Sequence, residues 1–355
     1  MQKKIDATHH YCSFHLVKGI LDPSPDLNSI LLKDEKIEVR LLGLDAYEGL
    51  IAKLLLPLDV GETSSLNSKA RGDFELKLNT LMHQMSRHAV MYVESSLPTD
   101  DVMDFYEEGS ELPAYVKAPL KLNAESAFKS ASSVMTFVRG SNLSRVYDFV
   151  FEQYYVTDSQ STIIQKLHPR TIFEENLMAP LDMEEVRVAE SLLYILHKDK
   201  DLKRIIDLYS ESLRPYESGH LHAFIAAWTA LEMFILKQFN DLKSSVTVNI
   251  NGSKAHEVFS SRVFEVMNDK YRLVDKFVVL SNYYNIVEVD ADIKVLKDIK
   301  CIRDDFFHSM RDDINDLPLI QTRKLFTKYF LVSLERRIEG FNFQRSEISK
   351  LVEND

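Results

Sequence analysis

The apolar residues of this chain change their period near Pro180. Before that point short runs alternate between apolar and polar; after it, apolar residues recur every three or four positions. A period of two belongs to half-buried strands and a period near 3.6 to amphipathic helices, so the two parts build their cores differently. The 355 residues, 45% of them hydrophobic, suffice for two domains at roughly 100–200 residues each. The expected fold class is α+β, with a β-rich or α+β domain over residues 1–180 and an all-α bundle over 181–355.

In the first part, Lys36 to Leu41 and Phe74 to Leu78 alternate, Ala89 to Val93 reads as a strand, and Leu50 to Leu56 is a short apolar run closed by Pro57. Turn chemistry at Asp22-Pro23-Ser24-Pro25, Gly61 to Ser65 and Arg71-Gly72-Asp73 separates these pieces. Asn123 to Val138 fits neither period cleanly and stays open between helix and strand. The order of the strands is not legible.

In the second part, Asp182 reads as an N-cap, with Glu184 and Glu185 favouring the helix dipole. Val186, Ala189, Leu192, Leu193 and Leu196 then form one stripe. Leu202, Ile205, Ile206, Tyr209 and Leu213 form a second, ended by Pro215. A third helix runs from about His220 to Phe239, with Leu221, Phe224, Ile225, Trp228, Leu231 and Ile235 inward. Val246 to Ile250, followed by Asn251-Gly252, suggests a small hairpin or loop. Helical spacing resumes over Val258–Met267, Tyr271–Tyr284, Ile293–Met310 and Ile320–Ile338.

Chemistry concentrates in Ile302-Arg303-Asp304-Asp305-Phe306-Phe307-His308. Ile293, Leu296, Ile299, Ile302 and Phe306 define the expected buried face of that helix. Five residues apart, Arg303 and His308 are separated by ~140° around an ideal axis and ~7.5 Å along it. The long arginine stem can sweep across that gap, so both heads can serve one pocket. Asp304 and His308 are four apart and share a face. Asp304 stays open between a solvated helix carboxylate and a group that orients the imidazole. The plain alternative for the pair is a surface arginine and a helix-terminal histidine that complements the dipole.

Arg303-Asp304-Asp305-Phe306-Phe307-His308 resembles the signature of the HEPN superfamily: arginine, a polar residue, three further residues, then histidine. Ala226-Ala227-Trp228-Thr229-Ala230-Leu231-Glu232 resembles the helix of Apea-like HEPN proteins, which carries an acidic residue on an apolar face. The resemblance covers roughly 185–340 and leaves the first half outside it. It implies a HEPN helical bundle and metal-independent cleavage of RNA by the substrate's own 2′-OH, with no cofactor. His308 suits proton transfer near neutral pH, and the planar, always charged fork of Arg303 suits the phosphorane. One histidine per chain does not comfortably act as both acid and base, and the resemblance implies a homodimer whose two Arg/His sets meet in one cleft. The expected partner is RNA, with tRNA or other structured RNA among the candidates. A bacterial toxin or anti-phage effector, with a trigger or antitoxin protein as a further partner, is implied by the kind of family alone.

Two residues of the upstream helix are read as structural support. Trp228 reads as core rather than as a stacking platform for substrate. Glu232, four residues on, faces the apolar side and calls for an ion pair with a basic residue of the motif helix, Arg303 among them.

Other chemistries find less footing. His9, His10, Cys12 and His15 offer donors, but a regular strand puts His9 and His15 on one face and His10 and Cys12 on the other, and no metal is expected. The Asp304-Asp305 and Asp312-Asp313 doublets read as solvated carboxylates. Gly-x-Gly-x-x-Gly, Walker and Gly-x-Ser-x-Gly patterns do not occur. A net charge of −11 argues against a broad coat for nucleic acid, though not against one small basic pocket. Two distant cysteines, Cys12 and Cys301, and no run of ~18 consecutive apolar residues lead to the expectation of a cytoplasmic protein without a membrane partner. Beside the ribonuclease stand two alternatives: a non-catalytic HEPN dimer serving as a binding or scaffold module, and an acidic regulator of a basic protein.

Overall fold

The computed structural model describes residues 8–21, 26–55, 88–98, 113–139, 147–157, 162–169, 183–213, 215–252, 272–286, 288–309 and 314–337. The expected strand Phe74–Leu78, the helix Val258–Met267, the Asp182 cap and the three turn segments lie outside these residues. The chain divides into two compact units, Met1–Val138 with Arg145–His197, and Arg139–Ser144 with Lys198–Asp355.

Among the described residues the first unit has six strands, β1 (Thr8–Leu21), β2 (Asn28–Lys33), β3 (Ile37–Leu42), β4 (His88–Pro98), β5 (Tyr147–Thr157) and β6 (Thr162–Pro169). They form one antiparallel sheet in the order β2-β3-β4-β1-β5-β6. The alternation read over 36–41 and the apolar run 89–93 fall on β3 and β4. Of the run Leu50–Leu56, the described part through Leu55 belongs instead to helix α1 (Leu44–Leu55). Its leucines and alanines are strong helix formers without the β-branching that favours strands, and Tyr47 is fully buried against Phe14 of β1. The open stretch is helix too: α2 (Pro113–Arg139) buries Ala124, Ala127, Ala131, Val134 and Val138 at helical spacing.

Two of the candidate metal donors of β1, His10 and His15, are engaged by other side chains. His10 pairs with Glu94 at 2.7 Å, and Tyr92 donates to the same carboxylate at 2.5 Å. His15 stacks on Phe128 of α2 with ring centroids 3.7 Å apart and sits 3.0 Å from the Ser13 hydroxyl. Among the described residues no group of three His, Cys, Asp or Glu side chains is placed to hold a metal ion. Helix α3 (Met183–Lys198) buries the whole expected stripe from Val186 to Leu196. It falls almost entirely within the sheet unit, so the division comes at His197–Lys198, later than the change of period near 180. An ion pair of 2.7 Å between His197 and Asp34 joins its end to the β2–β3 connection.

The second unit is helical: α4 (Lys200–Ser212), α5 (Pro215–Gly252), α6 (Leu273–Tyr283), α7 (Val289–Ser309) and α8 (Leu319–Glu335). Helix α5 is broken at Gly219, whose φ of 77° only glycine adopts without strain. No hairpin forms over 246–250: these residues and Asn251-Gly252 are helical. The lower helix propensity of valine and threonine costs only about 0.5 kcal/mol per residue, which an already packed helix tolerates. Tyr209, Phe234, Phe326 and Phe330 stack at the centre, with centroid separations of 4.3 to 5.7 Å. Within α5, Gly219–Ser245 is long and apolar enough to cross a bilayer by length and composition alone, although it contains no run of ~18 consecutive apolar residues. Phe224, Ala227, Trp228, Leu231, Phe234, Ile235 and Phe239 along it are buried, and α5 packs against α4, α6 and α8. That is the pattern of a bundle's core helix.

Helix α4 starts from Asp199, whose carboxylate accepts the Leu202 N–H at 3.1 Å and also meets Lys237 at 3.0 Å and Arg337 at 3.5 Å. Partial burial pushes this carboxyl up, but the Leu202 N–H, Lys237 and Arg337 outweigh it and hold it below the ordinary carboxylate range. Asp199→Ala is expected to cost about 1–2 kcal/mol of stability, read by urea unfolding. A depressed folded pKa contributes stability above the unfolded value, near 3.8, that is lost as pH falls through the folded one. The difference between wild type and variant should therefore narrow in that acid range.

Candidate active site on helix α7

Helix α7 is anchored at its beginning and exposed at its end. Asp292, 8% exposed, accepts from Lys328 at 2.9 Å and from Tyr329 at 3.1 Å, and Tyr329 in turn meets Ser281 at 2.8 Å. These contacts tie α7 to α8 and, through Tyr329, to α6. Leu296 and Ile299 continue the inward face. Beyond Ile299 burial lapses: Cys301, Ile302, Asp305, Phe307 and His308 are exposed, while Arg303, Asp304 and Phe306 are half-buried.

The inward stripe is thus Asp292, Leu296, Ile299, Arg303 and Phe306, at spacings of four and three. It departs from the expected stripe at two positions: Asp292 is buried where Ile293 is half-buried, and Ile302 is 37% exposed where Arg303 is half-buried. Two charged residues hold inward positions that an apolar pattern passes over. Arg303 manages this because its guanidinium carbon lies 5.3 Å from the ring centroid of Trp228 on α5, a cation–π contact. Trp228 is 4% exposed and core, as read from the sequence, and is at the same time the platform for Arg303. Its indole N–H has no hydrogen-bond partner among the described residues.

The remaining charges arrange themselves around Asp304. Arg303 Nη1 donates to Asp304 Oδ1 at 2.6 Å, and Lys300 Nζ to Oδ2 at 2.5 Å. The Lys300 hydrogen bond leads, partial burial opposes it and Arg303 reinforces it, and together they hold Asp304 below the usual carboxylate range. Both carboxylate oxygens therefore serve cations, and no hydrogen bond joins Asp304 to His308. The imidazole orienter considered for this residue is not what its geometry provides. His308 stands in the last turn of α7, where a positive charge complements the helix dipole. It is exposed and makes no hydrogen bond or ion pair among the described residues.

Glu232 also departs from expectation. It is half-buried and forms no ion pair among the described residues; Arg303 turns to Trp228 and Asp304 instead. The residue that sequence reasoning missed is Lys300. Its signal was present, because lysine and aspartate four apart on a helix meet on one face.

No family model, curated protein or solved structure matches this chain. The HEPN resemblance accordingly rests on residues 226–232 and 303–308 themselves. Chemically, the site offers a charged guanidinium on an aromatic platform, a second cation at Lys300, and an accessible imidazole one and a half turns further along the helix.

Proposed function

We propose that the helical unit is a metal-independent endoribonuclease of HEPN type, acting on RNA through Arg303 and His308. The observation that supports this best is the surface presentation of both residues on one helix, with the Arg303 guanidinium seated on Trp228 and the His308 imidazole open to a ligand. In this reading the substrate's 2′-OH attacks the adjacent phosphorus and the 5′-oxygen leaves. Arg303 stabilises the charge that builds on the phosphorane oxygens. His308 takes the 2′-OH proton or protonates the leaving oxygen. The complementary proton transfer falls to His308 of a second copy, which makes the working species a homodimer. Ile302 and Phe307, 37% and 48% exposed beside the motif residues, supply apolar surface that a second copy would cover. The sheet unit then senses a trigger, binds an antitoxin-like partner or steers RNA. The role of toxin or anti-phage effector is the one the family resemblance implies.

A second reading has its own observation. The Arg303 fork is already engaged by Asp304, and His308 lacks an orienting partner among the described residues. A HEPN-type dimer that only binds would look the same. Digestion of tRNA and of unstructured RNA in EDTA separates the two. The ribonuclease cuts at an undiminished rate without metal, whereas a binding module leaves both RNAs intact at every protein concentration while remaining a dimer.

A further inference from the structure

The contacts around Asp304 point beyond the assignment of Arg303 and His308. Two cations converge on one carboxylate, at 2.5 Å from Lys300 and 2.6 Å from Arg303, each donating to a different oxygen. All three side chains are partly open to solvent, between 32% and 42% exposed. Exposed ion pairs of this kind are held weakly and exchange readily. Arg303 is meanwhile fixed from the other side by the buried ring of Trp228. The cluster carries one net positive charge, because two cations share one anion.

We propose that Lys300 and Arg303 form a two-cation cradle for a phosphate group, and that the Asp304 carboxylate is its resting occupant, displaced when the ligand arrives. A carboxylate and a phosphate offer the same thing to a guanidinium, paired anionic oxygens, and phosphate brings more of them. Asp304 thereby keeps the cradle assembled and screens it from casual anions. Lys300 becomes a binding residue in its own right. The inference rests on Arg303 being the phosphate-facing residue of the site, but it concerns binding and not the chemical step.

Trp228 makes the exchange observable. It is the one tryptophan of the chain and lies under the guanidinium, so its emission reports on Arg303 directly. Titration of the full chain with inorganic phosphate, and separately with an uncleavable 2′-deoxy oligonucleotide, tests the cradle through that emission. Asp304→Asn, with Asp304→Ser as a second variant, is expected to tighten binding about tenfold at low salt, because a unit charge beside the ligand is removed. Lys300→Gln is expected to weaken it about fivefold, and both differences should shrink at 1 M salt. A gain with both probes assigns the cradle to the phosphate group itself. A gain confined to the oligonucleotide assigns it to a polynucleotide phosphodiester, and one confined to inorganic phosphate to a small phosphorylated ligand. If neither Asp304 variant binds either probe more tightly than wild type, or Lys300→Gln binds equally well, the cradle is refuted. Intact RNA after digestion by wild type, together with the Asp304 gain, would refute the ribonuclease and leave the cradle standing. Cleaved RNA without the gain would do the reverse.

Discussion

Replacing His308 by alanine is expected to lower RNA cleavage by about 10²–10⁴-fold, the usual contribution of a positioned proton-transfer group. Arg303→Ala should lower it by about 10²–10³-fold through loss of the charge that meets the phosphorane. Neither loss should come from unfolding. His308 is exposed, so its truncation opens no cavity in the core. Arg303 gives up a half-exposed ion pair with Asp304, about 0.2–1 kcal/mol, and a cation–π contact with Trp228, about 0.5–2 kcal/mol. Multiple-turnover cleavage beside far-ultraviolet circular dichroism checks both halves of the statement.

The largest effect on stability is expected from Phe326→Ala. Its fully buried ring lies 4.3 Å from Tyr209, 5.4 Å from Phe330 and 5.7 Å from Phe234, centroid to centroid. Those partners come from α4, α8 itself and α5, so one substitution removes contacts that three helices share. Loss of the transferred ring and the cavity left behind together cost about 3–5 kcal/mol. Since Tyr209 also meets the Thr327 hydroxyl at 2.7 Å, the stacked partner cannot swing freely into the void. Urea unfolding of the full chain, followed by circular dichroism at the helical band, should show the lowered midpoint. Phe307→Ala, which removes a ring 48% exposed on α7, should cost far less in the same measurement.

What could be read from the sequence followed the strength of the periodic signal. The stripes of α3 and α4 were legible because every apolar residue read from Val186 to Leu196 and from Leu202 to Leu213 is buried, although the buried Val188, Ser210 and Ser212 fell outside them. Helix α7 was legible only in part. Its inward positions at 292 and 303 carry charge, supported by Lys328 and Tyr329 at one and by Trp228 at the other, and these partners are distant in sequence. An apolar pattern shifts to Ile293 and Ile302 in their place. Ile225 was misplaced in the same way: it is 39% exposed although it sits three residues before the buried Trp228. Local composition misled at two points. The run Leu50–Leu56 was too short to separate strand from helix, and the β-branched Val246 to Ile250 segment is carried as helix by the packed stretch before it.

The candidate site divides along the same line. Arg303, Asp304 and His308 were singled out by their spacing on one helix. The Lys300–Asp304 contact was within reach of that logic. The stack of Arg303 on Trp228 was not, because it joins side chains 75 residues apart whose meeting depends on how α5 and α7 pack.

The ends left on cleaved RNA test the central claim most directly. Attack by the neighbouring 2′-OH, assisted by Arg303 and His308, leaves a 2′,3′-cyclic phosphate and a 5′-hydroxyl, formed equally well in EDTA and lost in His308→Ala. Products bearing a 3′-hydroxyl and a 5′-phosphate, or cutting that persists at the wild-type rate in His308→Ala, would contradict it.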